Sequence, residues 1–156
     1  MVQENTSNCV AEKIINSNRR IIKTKLFQFD CKICLLDFIG ANQYFISDFG
    51  LIWDRQNVFT NTFGILTRGS IPLVRKDPNL PYGWVPLKTA MPVEWFPINQ
   101  LLGWTFDPNP DLTKKYYITD HITYPFNTKD FKWVEHIDLP KDSLYREFIN
   151  RVYGPL

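Results

Sequence analysis

Asp120 is followed at once by His121, and nine residues further on Asp130 opens the run Asp130-Phe131-Lys132-Trp133-Val134. An imidazole can take a proton from water near neutral pH, and a carboxylate beside it at a strand end can hold a divalent cation. Together these are elements of phosphodiester cleavage. Taken alone, the dipeptide reads more readily as a carboxylate that fixes a surface histidine. Other residues could also do chemistry. Arg19, Arg20, Lys23 and Lys25 are spaced to line one side of a strand and meet phosphates, or simply to form a solvated face. Ser47-Asp48 suits a phosphate contact or a turn. Cys31-x-x-Cys34 has a zinc-ligand spacing, but no second close pair of Cys or His completes four ligands, so the two read as small core hydrophobes.

The elements that must position these residues are short. Ile21 to Leu36 alternates apolar with charged residues, as one or two strands would. Tyr44 to Trp53 reads as strand, turn, strand, with Ser47-Asp48-Phe49-Gly50 supplying the acceptors and the glycine of the turn. Residues 54 to 81 read as loop around brief apolar runs. Tyr82 to Leu87 is a strand that Pro86 restricts to an edge, or to a position whose amide is unpaired. Ile98, Leu101, Leu102 and Phe106 predict a short helix buried on one side, stopped by Asp107-Pro108. Tyr116-Tyr117-Ile118 is β-prone and leads into Asp120-His121, and Phe131 to Ile137 is a further apolar run. Asp142 or Ser143 caps a last amphipathic helix carrying Leu144, Tyr145, Phe148, Ile149 and Val152, closed by Gly154. Residues 1 to 18 are Asn/Ser-rich and are expected to be loosely ordered unless a neighbour ties them down.

The whole chain sets the bounds. At 156 residues and 44% hydrophobic content it reads as one compact α+β domain of short antiparallel strands. Aromatics at 15% supply large buried areas, or contact surface for a partner protein. A net charge of +2 argues against an extensive grip on a phosphate backbone. The three cysteines cannot all pair, and Met1 to Asn8 lacks the apolar core of a signal peptide, which predicts a reducing, intracellular setting. No stretch approaches twenty apolar residues, so no membrane span is expected.

In order, these pieces resemble the HNH (His-Me finger) homing endonucleases of phages, in the subgroup whose nuclease motif follows a short DNA-binding module. Tyr44, Ile46, Ser47, Asp48, Gly50 and Ile52 match that module's Tyr-x-Ile-Ser-Asn-x-Gly-x-Val. Gly83, Trp84, Val85 and Leu87 echo its Gly-Tyr-x-x-Val-x-Leu, and Ile98, Leu101, Leu102, Gly103, Phe106, Asn109 and Pro110 follow the helix phrase that comes next. Asp120-His121-Ile122 and Asp130-Phe131-Lys132-Trp133-Val134 match the finger itself. The resemblance implies a ββα-type unit followed by the C-terminal helix. It divides the chain into an N-terminal extension with a basic strand or arm (1–34), a DNA-binding module (35–97), an HNH-like finger (98–139) and the last helix (140–156).

The same resemblance implies a Mg²⁺ or Mn²⁺ held by Asp120, with Asp130 joining it and Asp138 or His136 completing the shell, and His121 as general base. Nucleic acid would meet Arg19, Arg20, Lys23, Lys25 and Ser47. The chain departs from the family where His-Arg becomes Asn99-Gln100, where Asn becomes Asp130, and where the loop from Ile122 to Lys129 is shorter. Two readings follow: a metal-dependent DNA-nicking enzyme, or an inactive derivative serving as a structural or binding component of a viral particle or large nucleoprotein assembly.

Overall fold

The computed structural model describes residues 10–26, 29–55, 58–61, 64–67, 74–89, 93–122 and 125–154, with the backbone alone described at 26, 29, 58–61 and 64–67. It is an α+β fold of antiparallel strands, with a C-terminal helix. A four-stranded sheet in the order β1-β2-β3-β4 is formed by Ile21–Leu26, Phe29–Leu35, Tyr44–Ser47 and Ile52–Asp54. A hairpin of β5 (Val58–Asn61) and β6 (Gly64–Thr67) follows, then a three-stranded sheet β7-β8-β9 (Arg75–Asp77, Leu80–Leu87, Glu94–Pro97). Helix α2 (Ile98–Phe106) leads to a hairpin of β10 (Tyr116–Ile118) and β11 (Lys132–Val134), and α3 (Leu144–Tyr153) comes last. The division expected at residue 34 falls inside β2.

Local chemistry explains most of these boundaries. Gly50 takes φ 91°, a left-handed conformation that side chains with a Cβ resist, and this turns β3 into β4. Pro86 lies in β8 opposite Trp95 of β9, two residues past Trp84, where the pairing with β7 ends among the described residues. A missing N–H is tolerated there. Ser143 caps α3 by accepting from Arg146 N.

Three expectations are corrected. Residues 54 to 81, read as loop, hold β5, β6 and β7. Val10–Asn16 forms a helix, α1, where the polar composition predicted loose order. Its Ala11 and Ile14, one turn apart, are buried in the main core. Arg19 then ties the segment down, donating from Nε to Trp104 O at 2.6 Å, from Nη2 to Ile14 O at 2.6 Å and from Nη1 to Ser17 O at 2.6 Å. Helix α2 is not buried on one side only: every residue from Ile98 to Thr105 is buried, Asn99 and Gln100 included.

The core is aromatic. Phe148 of α3 sits at its centre, with the rings of Trp84, Phe96 and Trp104 at 5.8, 5.9 and 6.0 Å between centroids. Such pairs contribute about 0.5–1.5 kcal/mol each beyond simple burial. A second, smaller cluster on the four-stranded sheet holds Cys31, Ile33 and Trp53.

Cys31 and Cys34 are both buried, and neither is in a disulfide. Three residues apart on one strand, they face opposite sides of the sheet and cannot share a metal. Burial pushes the Cys34 thiol up from 9.0 to about 11. A neutral thiol is therefore favoured in the folded state. Its contribution to stability is full below about 9 and is lost as pH rises through about 11. In a Cys9→Ser background, a thiol reagent at about pH 8 is expected to modify neither cysteine until urea is added. Rapid reaction of the native protein at Cys34 would show that the strand opens.

Candidate functional site

The hairpin β10–β11 carries the Asp-His pair at its loop end. Its register runs Tyr116↔Val134, Tyr117↔Trp133 and Ile118↔Lys132, so Asp120 leaves one strand and Asp130 enters the other at equivalent steps. Asp120 and His121 are exposed on a bend that Thr119 closes, with His121 N donating to Thr119 Oγ1 at 3.2 Å and Thr119 Oγ1 donating to His121 O at 3.3 Å. Asp130 ends a short 3-10 turn, Thr128–Asp130, capped by Asn127, and is also exposed. Asp138 and His136 lie exposed on the segment between β11 and α3. Among the described residues no three His, Cys, Asp or Glu side chains come together as a cation would require. The donor set read from the sequence is therefore not gathered into a cation site in this arrangement.

What holds the hairpin in place is a polar network that sequence reasoning missed. Gln100 Nε2 donates to Lys115 O at 3.0 Å, while its Oε1 accepts from Tyr117 N at 2.9 Å and from Tyr145 Oη at 2.7 Å. Asn99 Nδ2 donates to Tyr117 O and to Tyr145 Oη, both at 2.8 Å. These amides, where the resembled family has a cationic pair, are fully buried and saturate the backbone of β10 from the helix side. Burial raises Tyr145 well above the usual phenol range, which keeps its hydroxyl a donor. Burial and the Asp107 carboxylate raise Tyr117 in the same direction. Tyr82 Oη extends the network to the Asp-His bend, accepting from Thr119 N at 2.9 Å and donating to Thr119 O at 3.2 Å.

The expected nucleic-acid residues divide into two groups. Arg19 is turned inward onto carbonyls, and its guanidinium carbon lies 4.3 Å from the Phe38 ring centroid, so its donors are occupied. Ser47 is buried, its hydroxyl accepting from Leu51 N at 3.0 Å, so it serves the turn. Both are removed from the set that a phosphate could reach. Arg20, Lys23 and Lys25 are exposed. The register adds Lys32, which the sequence reading passed over: Lys23 pairs directly with Lys32, and Lys25 with Asp30. Lys23, Lys25 and Lys32 line a trough of about 530 Å³ together with Asp30 and Asp48.

A larger cleft of about 760 Å³ adjoins it, with Phe49, Leu51, Tyr82 and Phe126 among its walls and Lys76 on the β7 side. Asp30 and Asp48 line this cleft as well, so the two carboxylates form a wall common to both depressions. The cleft is drawn from the four-stranded sheet, the three-stranded sheet and the segment leading to β11. That composition explains why no single stretch of sequence announces it. No protein family, curated protein or solved structure matches this chain.

Proposed function

We propose that the chain is a nucleic-acid-binding protein related to the HNH (His-Me finger) proteins, and that the exposed face of the β1–β2 hairpin receives the phosphates. The observation that carries this reading is the direct cross-strand pairing of Lys23 with Lys32, with Lys25 two residues along the same face. Like charges opposite each other on a strand pair destabilise it by a few tenths of a kcal/mol to about 1 kcal/mol. A bound polyanion removes that cost and releases counterions. The concentration of cations on one hairpin also answers the objection from the low net charge, since binding responds to local density.

Fluorescence anisotropy of labelled DNA against salt concentration tests the proposal. Affinity is expected to fall steeply with salt. Replacing Lys23, Lys25 and Lys32 together by alanine is expected to flatten the log–log slope by about 2 to 3. A slope unchanged in that variant, or no binding by the wild type at low salt, refutes the assignment.

Nicking is the second reading, and the observation in its favour is that Asp120 and Asp130 leave the hairpin at equivalent steps of the register, with His121 exposed beside them. Supercoiled plasmid with Mg²⁺ or Mn²⁺ separates the two. Relaxed circles that disappear in His121→Ala support an enzyme, whereas intact plasmid at protein excess leaves a binding component of an assembly.

A further inference from the structure

We infer that the ligand is single-stranded DNA, with one unpaired base inserted into the aromatic cleft and read by Asp30 and Asp48. This rests on the nucleic-acid reading and adds the strandedness and base preference of its ligand.

The inference follows from the common wall. A chain of phosphates lying along Lys23, Lys25 and Lys32 runs beside Asp30 and Asp48, and those carboxylates repel phosphate. On their other side is the cleft, where the half-buried Phe49 and Leu51 offer apolar surface beside the buried rings of Tyr82 and Phe126. Backbone is therefore favoured on the lysine side and a base on the aromatic side. This pairing of a cationic track with aromatic surfaces is how single strands are held, because each base offers a face to stack on. A base in a duplex must first be unpaired and unstacked to enter, so a single strand is favoured.

The carboxylates also select among bases. Ionised aspartate only accepts hydrogen bonds, and among the described residues neither Asp30 nor Asp48 has a salt-bridge partner. Cytosine presents its N4 amine as a donor, whereas thymine presents the O4 acceptor and a methyl group. Cytosine is thus the better guest of two equally sized pyrimidines. Asn127, which also lines the cleft, has its Oδ1 engaged by Lys129 N, so its amide group can offer a base only donors.

The test compares oligo(dC) with oligo(dT) of about a dozen nucleotides, and with a duplex of equal length, by anisotropy at one salt concentration on the full chain. Wild type is expected to bind oligo(dC) about ten-fold more tightly than oligo(dT), and more tightly than the duplex. Asp30→Asn with Asp48→Asn is expected to close the gap between the pyrimidines while raising the affinity for oligo(dT), since the amide removes repulsion and adds a donor. A role in folding alone would move both oligonucleotides together. Asp30→Asn by itself, at an exposed strand position, gives a second readout that does not disturb the Asp48 turn. Equal binding of the two pyrimidines, or duplex bound as tightly as oligo(dC), overturns this inference and leaves the nucleic-acid reading standing. Failure of every nucleic acid to bind at low salt ends both.

Discussion

Gln100→Leu is expected to cost about 3 to 5 kcal/mol of folding stability, although leucine fills nearly the same volume and suits a helix slightly better. The cost comes from what is left behind. Three groups lose their partner at once: the Tyr117 N–H, the Lys115 carbonyl and the Tyr145 hydroxyl. None can turn to water, because Tyr117 and Tyr145 are buried and Lys115 is nearly so. Each unmatched buried polar group costs about 1–3 kcal/mol. Tyr145 keeps one bond, from Asn99 Nδ2, which sets the lower end of the range. Asn99 Oδ1, buried without a partner among the described residues, is a spare acceptor for the freed Tyr145 hydroxyl, which also favours the lower end of the range. Urea denaturation measures the loss. Tyr145→Phe, which removes a single hydroxyl, should cost only about 1 to 2 kcal/mol. If Gln100→Leu were neutral, α2 would not be holding β10 through these bonds.

The contrast between the two helix faces shows which parts of the structure could be read in advance. The strands outside residues 54 to 81, the turn at Ser47 to Gly50, the limits of α2 and the Ser143 cap follow from alternation, turn chemistry and capping, which are local properties, whereas β5, β6 and β7 lie in the stretch that reads as loop. Burial of Asn99 and Gln100 is not local. Periodicity assumes that a polar residue faces water, and here two amides face a strand whose backbone lacks another partner on that side. Helix α1 was missed for a related reason: its two buried apolar residues dock on a core assembled from distant segments, with Arg19 bonded to the carbonyl of Trp104, eighty-five residues away.

At the site, the Asp120-His121 pair and its place after β10 were legible, because both depend on neighbours in sequence. The opposition of Lys32 to Lys23 depended on the register of the first hairpin, which a one-residue slip would have reversed in face. The cleft depended on segments from three parts of the chain meeting. The residues the sequence singled out as cationic were therefore only partly those the fold leaves free.

Gly103→Ala reverses the ordinary sign of a familiar substitution. In a helix interior, alanine is more favourable than glycine by about 1 kcal/mol, and α2 would by that rule be strengthened. Here the added methyl would stand 2.6 Å from Trp133 Cζ2, 2.6 Å from Tyr117 Cγ and 2.9 Å from Tyr117 Cδ1. Neither ring can retreat. Trp133 Nε1 donates to Asp107 O at 2.6 Å, just past the end of the same helix, and Tyr117 stacks on Phe131 with centroids 5.0 Å apart. Tyr117 is also held by its backbone to Asn99 and Gln100, so the strand cannot slide away without breaking the network above. The only relief is to lift the whole hairpin from α2, and the net effect is expected to be a loss of about 2 to 3 kcal/mol. Urea midpoints give the magnitude, and near-ultraviolet circular dichroism reports whether Trp133 and Tyr117 have moved. An alanine variant at least as stable as the wild type would mean that helix and hairpin are not in contact at this point. The register that brings Asp120 and Asp130 to the mouth of one loop would then lose its support from the helix.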